Sequence, residues 1–508
     1  MPGTIPRRSA GLLLHPTSLP GPYGIGDLGP AARVWIDTLA RAKQTWWQIL
    51  PLGPTGYGDS PYQCYSAFAG NPYLISPEQL AEDGLLATPP PLDSDAPVDR
   101  VDYDRAIPYK VNILREAWAN FQGGRSAHLK SDFESFRHQH RAWLDDYALF
   151  RALKDARSGA PWYDWPTPLR EFQPAAIDEA RREFADGIGF HAFSQFLFFR
   201  QLRQLREYGR ERGVKLIGDA PIFVSGDSAD AWANPQLFLL DENRRPTVVA
   251  GVPPDYFSPT GQLWGNPVYR WDAMERDGYR WWIDRMRMTL ESVDLVRLDH
   301  FRGFAAAWHV PAGDATAEYG SWVPGPGAAL FEKMRDGLGW LPIIAEDLGV
   351  ISPDVDALRT QFDLPGMRIL HFAFWGDPND RFLPHNYERN TVVYTGTHDN
   401  DTTMGWYHTL QAHERAFLQR YLGGDRPESV VWDLIRLAWS SVADLAIVPV
   451  QDVLELDTRG RMNLPGRLGG NWLWRMEGRA LHDPAFERLG DLTDLYSRTA
   501  KRSSLGDR

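Results

Sequence analysis

The sequence predicts an α/β chain built as a (β/α)8 barrel of the TIM type, and three observations predict it. Eight short apolar runs recur along the 508 residues, and each gives way to polar residues at its end. Helical-looking segments separate most of them, as a parallel sheet with crossovers requires. No glycine-rich dinucleotide fingerprint follows the first run, which removes the main argument for an open, doubly wound sheet. The length also exceeds what one compact core usually reaches, so several domains or one large barrel with insertions is expected.

The eight runs are GLLLH (11–15), WWQILP (46–51), VKLIGDAP (214–221), VDLVRLDHF (293–301), LPIIAEDLG (341–349), GMRILHFAF (366–374), TVVYTGTHDN (391–400) and LAIVPVQDVL (445–454). A helix is expected at 31–41 after the first and at 330–338 before the fifth. The second and third runs stand far apart. Residues 75–212 hold amphipathic stretches at 109–121, 133–155 and 192–212, more than one crossover needs. They read as an inserted, mainly helical subdomain. A smaller insertion, 225–291, separates the third and fourth runs, with AGVPPDYFSPTGQLWGNPVY at its centre. The Pro-rich patch at 88–97 reads as a surface loop.

Composition narrows the function. A net charge of −12 and a pI near 5.6 argue against nucleic acid, an anionic membrane surface or a polyanionic substrate. The single cysteine, Cys64, allows no intrachain disulfide and no Cys-rich metal site. The N-terminal apolar run 10–14 is shorter than a signal-peptide core, and no apolar stretch is long enough to span a bilayer. A cytoplasmic protein without membrane contact is expected. Most of the 21 Trp, 19 Tyr and 24 Phe serve the core, but an excess in Gly/Pro-rich segments fits the apolar faces of sugar rings.

Catalytic groups of such barrels come from the C-terminal ends of strands. Those ends carry Asp219, Asp299, Glu346 and Asp399. Any one of them alone is more readily a helix N-cap or a loop turn; four together, expected around one mouth, are a different matter. Paired carboxylates are what glycosidic bond cleavage requires, one as nucleophile or base and the other as proton donor. Arg297 lies two residues before Asp299, so both point to one face of a strand, and its charge favours the ionised carboxylate. Glu346 then has to stay protonated part of the time, with a raised pKa. A divalent metal held by His300 and His398 is an alternative, but no HExxH or regular Asp ladder supports it. Neither a GxxxxGK[ST] phosphate loop nor a GxSxG elbow is present.

On these residues the chain resembles the 4-α-glucanotransferases, also called amylomaltases or disproportionating enzymes, of the α-amylase clan. The matching pieces are HPTSLPGPYGIGDLG, ILPLGPTGYGDSPYQ, SAFAGNPYLISP, IGDAPIFV, PPDYFSPTGQLWGNPVY, VRLDHFRGF, IIAEDLG, PGMRILHFAF and YTGTHDNDT, with QDVLELDTRGRMNLPG and GNWLWR near the end. The resemblance implies Asp299 as nucleophile with Arg297 orienting it, Glu346 as general acid/base, and Asp399, with His398, gripping the distorted sugar. It implies sugar contacts for Ser60, Tyr62 (a stacking platform), Asp219, Asp255 and Trp264, and an outer glucan contact for Tyr57. The 250–269 loop would cover the acceptor side. No cofactor and no metal are implied; the expected partners are maltooligosaccharides, amylose and other α-1,4-glucans, glycogen-derived ones included. Cys64 stands where the family favours a small polar residue, and LELDTRGRMN is less typical than the rest. Too few residues follow the eighth run for a C-terminal β-sandwich. The expected reaction is retaining transfer through a covalent aspartyl intermediate. An α-glucan hydrolase on the same scaffold, or a non-catalytic glucan-binding protein, are the alternatives.

Overall fold

A computed structural model describes Ile5 and residues 8–92, 95–254, 258–349, 351–424, 427–467 and 469–499. Its strands are β1 (Ser9–Leu13), β2 (Trp46–Gln48), β3 (Lys215–Pro221), β4 (Val248–Val252), β5 (Gln262–Pro267), β6 (Leu295–Asp299), β7 (Ala306–Pro311), β8 (Ser321–Pro324), β9 (Ile343–Ala345), β10 (Gly366–Ile369), β11 (Thr391–Tyr394) and β12 (Leu445–Pro449). Eight of these form one parallel sheet in the order β10-β11-β12-β1-β2-β3-β6-β9; seven lie within their apolar runs, and β1 begins two residues before the first run. The two end strands meet at a seam. The Ala345 N–H donates to the Pro365 carbonyl at 2.9 Å, and the Met367 N–H donates to Asp347 Oδ1 at 2.7 Å. The result is a nearly closed barrel.

Period-two alternation splits the strands between two cores. Leu13, Trp46, Ile217, Leu295, Ile344 and Ile447 point inward and pack together inside the barrel. Their neighbours Leu12, Trp47, Leu216, Val296, Ile343 and Val448 point outward into the layer shared with the helices. Both faces are buried, which is why the runs read as continuously apolar. Gly11 is a glycine because the barrel floor is crowded: a Cβ there would lie 2.6 Å from that of Trp46.

Between β2 and β3 the chain is helical, chiefly in Pro77–Glu82, Tyr103–Gln122, Lys130–Ala156, Pro174–Glu183 and Ala185–Glu211. Ser76 and Asp102 cap the first two through the backbone N–H groups of Gln79 and Arg105. Phe121 stacks on Phe193 with centroids 4.5 Å apart and joins the Tyr103–Gln122 and Ala185–Glu211 helices. Two buried glutamines fix the last helix to the 70–76 segment. Gln195 accepts from the Gly70 N–H (2.7 Å) and donates to the Gly70 carbonyl (2.8 Å). Gln201 does the same with Ser76, at 2.7 and 3.2 Å. Each side chain thus imitates a neighbouring strand's backbone.

A second sheet, antiparallel and ordered β5-β4-β7-β8, stands beside the barrel. Two of its strands come from before β6 and two from after it. The sequence offers the 225–291 insertion but no sign that residues 306–324 return to complete a sheet with it. The edge strand β5 carries Trp264 toward the mouth.

Candidate active site

Asp299 is placed by register. In the β3–β6 pair Asp219 sits opposite Arg297, and Pro221 opposite Asp299. Ile217, Leu295 and therefore Asp219, Arg297 and Asp299 share the inward face. Arg297 consequently bridges the two acids, Nη1 to Asp219 Oδ2 at 2.7 Å and Nη2 to Asp299 Oδ1 at 2.8 Å. Asp219 and Arg297 are buried, while the Asp299 side chain is 28 % exposed and opens to the mouth. Burial opposes the charge on Arg297, and the two carboxylates overcome it and hold the guanidinium ionised. Burial pushes the Asp219 carboxyl up to about 6, against the pull of Arg297.

Glu346 follows β9 by one residue, and Leu298 pairs with Ala345. Asp299 and Glu346 therefore end adjacent strands at the same level. Both carboxylate oxygens of Glu346 accept backbone N–H bonds, Oε2 from His300 (2.8 Å) and Oε1 from Leu348 (2.9 Å). His300 reaches it by adopting a left-handed conformation, φ 50° and ψ 50°, uncommon for a side-chain-bearing residue. Burial, then the charge of Asp299, push Glu346 up to about 8, with Arg297 and the two N–H groups opposing. A carboxyl group with a raised pKa and a carboxylate paired with Arg297 thus stand side by side, in unlike surroundings.

His300 itself gains a place that sequence reasoning gave it only as a metal ligand. Its ring is half-buried, and desolvation pushes it down to about 4, so it is neutral at pH 7. Its Nε2 has no partner among the described residues, and the Trp264 ring meets it edge-on at 4.7 Å. The usable signal was its position directly after Asp299.

The third acid stands across the mouth. Asp399 lies in the loop after β11, with a side chain 43 % exposed. Its Oδ1 accepts from Asn463 Nδ2 at 2.6 Å and lies 3.3 Å from His398 Nε2, and its carbonyl accepts from Arg461 Nη2 at 2.8 Å. Tyr62 ties this side to the first: its hydroxyl donates to Asp219 Oδ2 at 2.8 Å and lies 2.9 Å from His398 Nε2. Because that hydroxyl's one proton goes to Asp219, His398 is the donor from Nε2. The Tyr62 ring stacks on His398 at 5.2 Å.

The structure brings Asp219, Arg297, Asp299, Glu346, His398, Asp399 and Tyr62 into one connected cluster, with Trp264 joined through His300. Ser60 reaches it only by accepting the Tyr62 N–H at 3.2 Å. Asp255 and the side chain of Tyr57 lie outside the described residues. Sequence reasoning missed Asn463 and Arg461, which sit in the atypical LELDTRGRMN stretch more than sixty residues from Asp399. Cys64 is a half-buried free thiol whose Sγ meets the Pro61 carbonyl at 3.0 Å.

Comparison with known proteins identifies the family. The family model for glycoside hydrolase family 77, described as 4-α-glucanotransferase, matches residues 14–481. The chain is 54 % identical over 476 residues to a 4-α-glucanotransferase of Thermus thermophilus, covering 92 % of this chain and 95 % of the relative. It is 50 % identical over 498 residues to the enzyme of that name from Synechocystis, covering 97 % and 98 %. The solved structure of amylomaltase from Streptococcus agalactiae in complex with acarbose superposes with a TM-score of 0.93 at 36 % identity, covering 97 % of this chain and all of that one. The amylomaltase of Corynebacterium glutamicum, 18 % identical with a TM-score of 0.78, shares the fold. The chain belongs to the 4-α-glucanotransferase family, glycosyltransferases acting on α-glucans.

Proposed function

We propose that this chain moves segments of α-1,4-glucan to the 4-hydroxyl of an acceptor glucan or glucose by double displacement. Asp299 attacks the anomeric carbon while Glu346 protonates the departing oxygen, giving a glycosyl-aspartyl ester. Glu346, now a base, takes the proton of the incoming 4-hydroxyl as that oxygen displaces Asp299. Two inversions give retention.

The observation that carries this reading is the pairing of Asp299 with Glu346 at the same level of adjacent strands, one salt-bridged to Arg297 and the other pushed up to about 8. Adjacent strands lie about 4.8 Å apart, a spacing that suits the roughly 5 Å carboxyl separation of retaining enzymes. Arg297 orients the nucleophile through its Nη2 contact at 2.8 Å, and Asp219 and Tyr62 keep Arg297 and His398 in place. Asp399, held by Asn463, grips the sugar hydroxyls of the distorted ring.

The same proposal treats residues 1–508 as one catalytic barrel domain, with 75–212 and 225–291 as insertions that shape its mouth. Trp264, brought to His300 by the second sheet, supplies an apolar face on the acceptor side. With Asp255 and the rest of the 250–269 loop it would exclude water and hold the acceptor hydroxyl in place. Ser60 and Tyr62 contact the donor chain, and Tyr57 an outer glucan strand. The substrates are maltooligosaccharides, amylose and glycogen-derived glucans. Rapid acid quench during turnover, followed by peptide mass spectrometry, tests the mechanism. A hexose-oligomer adduct on the peptide bearing Asp299 is expected, and an adduct on a different carboxylate would overturn the assignment.

A further inference from the structure

Behind the Asp399 loop lies a buried polar knot that the mechanism above does not use. Asp452, 1 % exposed, sits in the turn of helix that follows β12. Its Oδ2 accepts from Thr395 Oγ1 at 2.6 Å and from Thr403 Oγ1 at 2.7 Å, and its Oδ1 accepts from the Thr403 N–H at 2.7 Å. Thr395 opens the loop after β11 and Thr403 begins the helix Thr403–Thr409, so one carboxylate clasps both ends of the segment bearing His398 and Asp399. Thr403 spends its single proton on Asp452, so His371, whose Nε2 lies 2.9 Å from the same hydroxyl, must donate from Nε2. His371 Nδ1 is then bare, and it has no partner among the described residues. Burial pushes the ring down to about 3, so it stays neutral. The ring stacks on Trp406 at 4.6 Å and also presses on Gly396, where a Cβ would lie 2.7 Å from His371 Cε1.

The same stretch of chain closes the loop from the other side. Thr458 Oγ1 donates to Asp401 Oδ2 at 3.0 Å, and the Asn463 N–H donates to the His398 carbonyl at 3.1 Å. We propose that Asp452 is a positioning residue for Asp399: with Thr395, Thr403 and His371 it fixes the anchor points of the 395–403 loop, so that Asp399 meets the sugar in the geometry of the transition state. The inference rests on the proposed role of Asp399. It carries weight because three hydrogen bonds to one buried carboxyl group inside a low-dielectric site define the ends of a nine-residue loop more tightly than packing alone. A displacement of about 1 Å at the reacting centre costs on the order of a hundredfold in rate.

The test compares Asp452→Asn, Thr403→Val and Thr403→Ser with the unaltered enzyme, using maltotriose turnover, acarbose affinity and thermal midpoint. Asp452→Asn and Thr403→Val are expected to lose roughly tenfold to a hundredfold in kcat, with KM within about twofold. Both should lose acarbose affinity, and Thr403→Ser should restore kcat and affinity to near the unaltered values. Equal impairment of Thr403→Ser and Thr403→Val would make the effect one of packing and overturn the proposal. So would unchanged kcat in both Asp452→Asn and Thr403→Val. Should Asp452→Asn fail to fold, the two Thr403 variants decide the matter alone. An unaltered enzyme inactive on every α-glucan would condemn the functional reading instead, and acarbose affinity across the Thr403 pair would still decide this one.

Discussion

Arg297 holds two acids at once, and removing it exposes how the site is balanced. In Arg297→Met, Asp219 keeps the Tyr62 hydroxyl as a donor but loses its countercharge while buried. Stability should fall by about 3–5 kcal/mol, read as the midpoint of urea unfolding; a loss below 1 kcal/mol would mean that Asp219 is already neutral. Glu346 makes the opposite prediction. Its folded-state pKa, near 8, lies above the ordinary 4.5. Across that window the folded chain holds a proton that the unfolded chain has lost, so stability falls as pH rises and the cost is complete above pH 8. Glu346→Gln should therefore be inactive yet more stable than the unaltered protein at pH 8, with the advantage gone below pH 4.5. In the active enzyme kcat/KM for the first transfer should decline above about pH 8 as the acid deprotonates. At this scale the acids were legible because each ends an apolar run. Arg297 was legible as the partner of Asp299, two positions on, but the distant partners were not: Arg297 meets Asp219 from 78 positions away, Asn463 meets Asp399 from 64, and only the fold brings them together.

The helix Ala185–Glu211 shows what holds an element to the barrel. Gln201 satisfies both backbone groups of Ser76, which in turn caps the next helix. Gln201→Leu fills the space but strands a buried N–H and C=O, and should cost about 1–3 kcal/mol by urea unfolding with the glucan reaction intact at low temperature. Helices 109–121, 133–155 and 192–212 were legible from their periodicity; in the structure all three start earlier, as Tyr103–Gln122, Lys130–Ala156 and Ala185–Glu211, the last ending one residue sooner than expected. The second sheet was illegible for a different reason. Its strands β7 and β8 lie outside the barrel and are only partly buried, with Trp322 partly exposed and Trp308 paired to it at 5.3 Å, so no unbroken apolar run marks them. Antiparallel partners from either side of a barrel strand leave no trace in local pattern.

Taken whole, the molecule is a barrel whose mouth is built by what interrupts it. All eight barrel strands could be read from sequence because each is buried on both faces. Their closure into a barrel was expected from their number, but the residues that join its ends were not: Asp347 draws the Met367 N–H and the Arg368 and Arg381 guanidiniums to the β9–β10 seam. Among the described residues no helix is long and apolar enough to cross a membrane. The insertions also bear on transfer against hydrolysis, which share every catalytic acid. Trp264→Ala opens the acceptor side beside His300 and should raise the share of donor lost to water several-fold, measured as reducing ends released per transfer; an unchanged ratio would remove Trp264 from the acceptor site. The most direct measurement is incubation of the purified protein with maltotriose alone, with products separated by size. The account predicts glucose together with a ladder of maltooligosaccharides longer than the substrate, whereas glucose and maltose alone would make water the acceptor and contradict it.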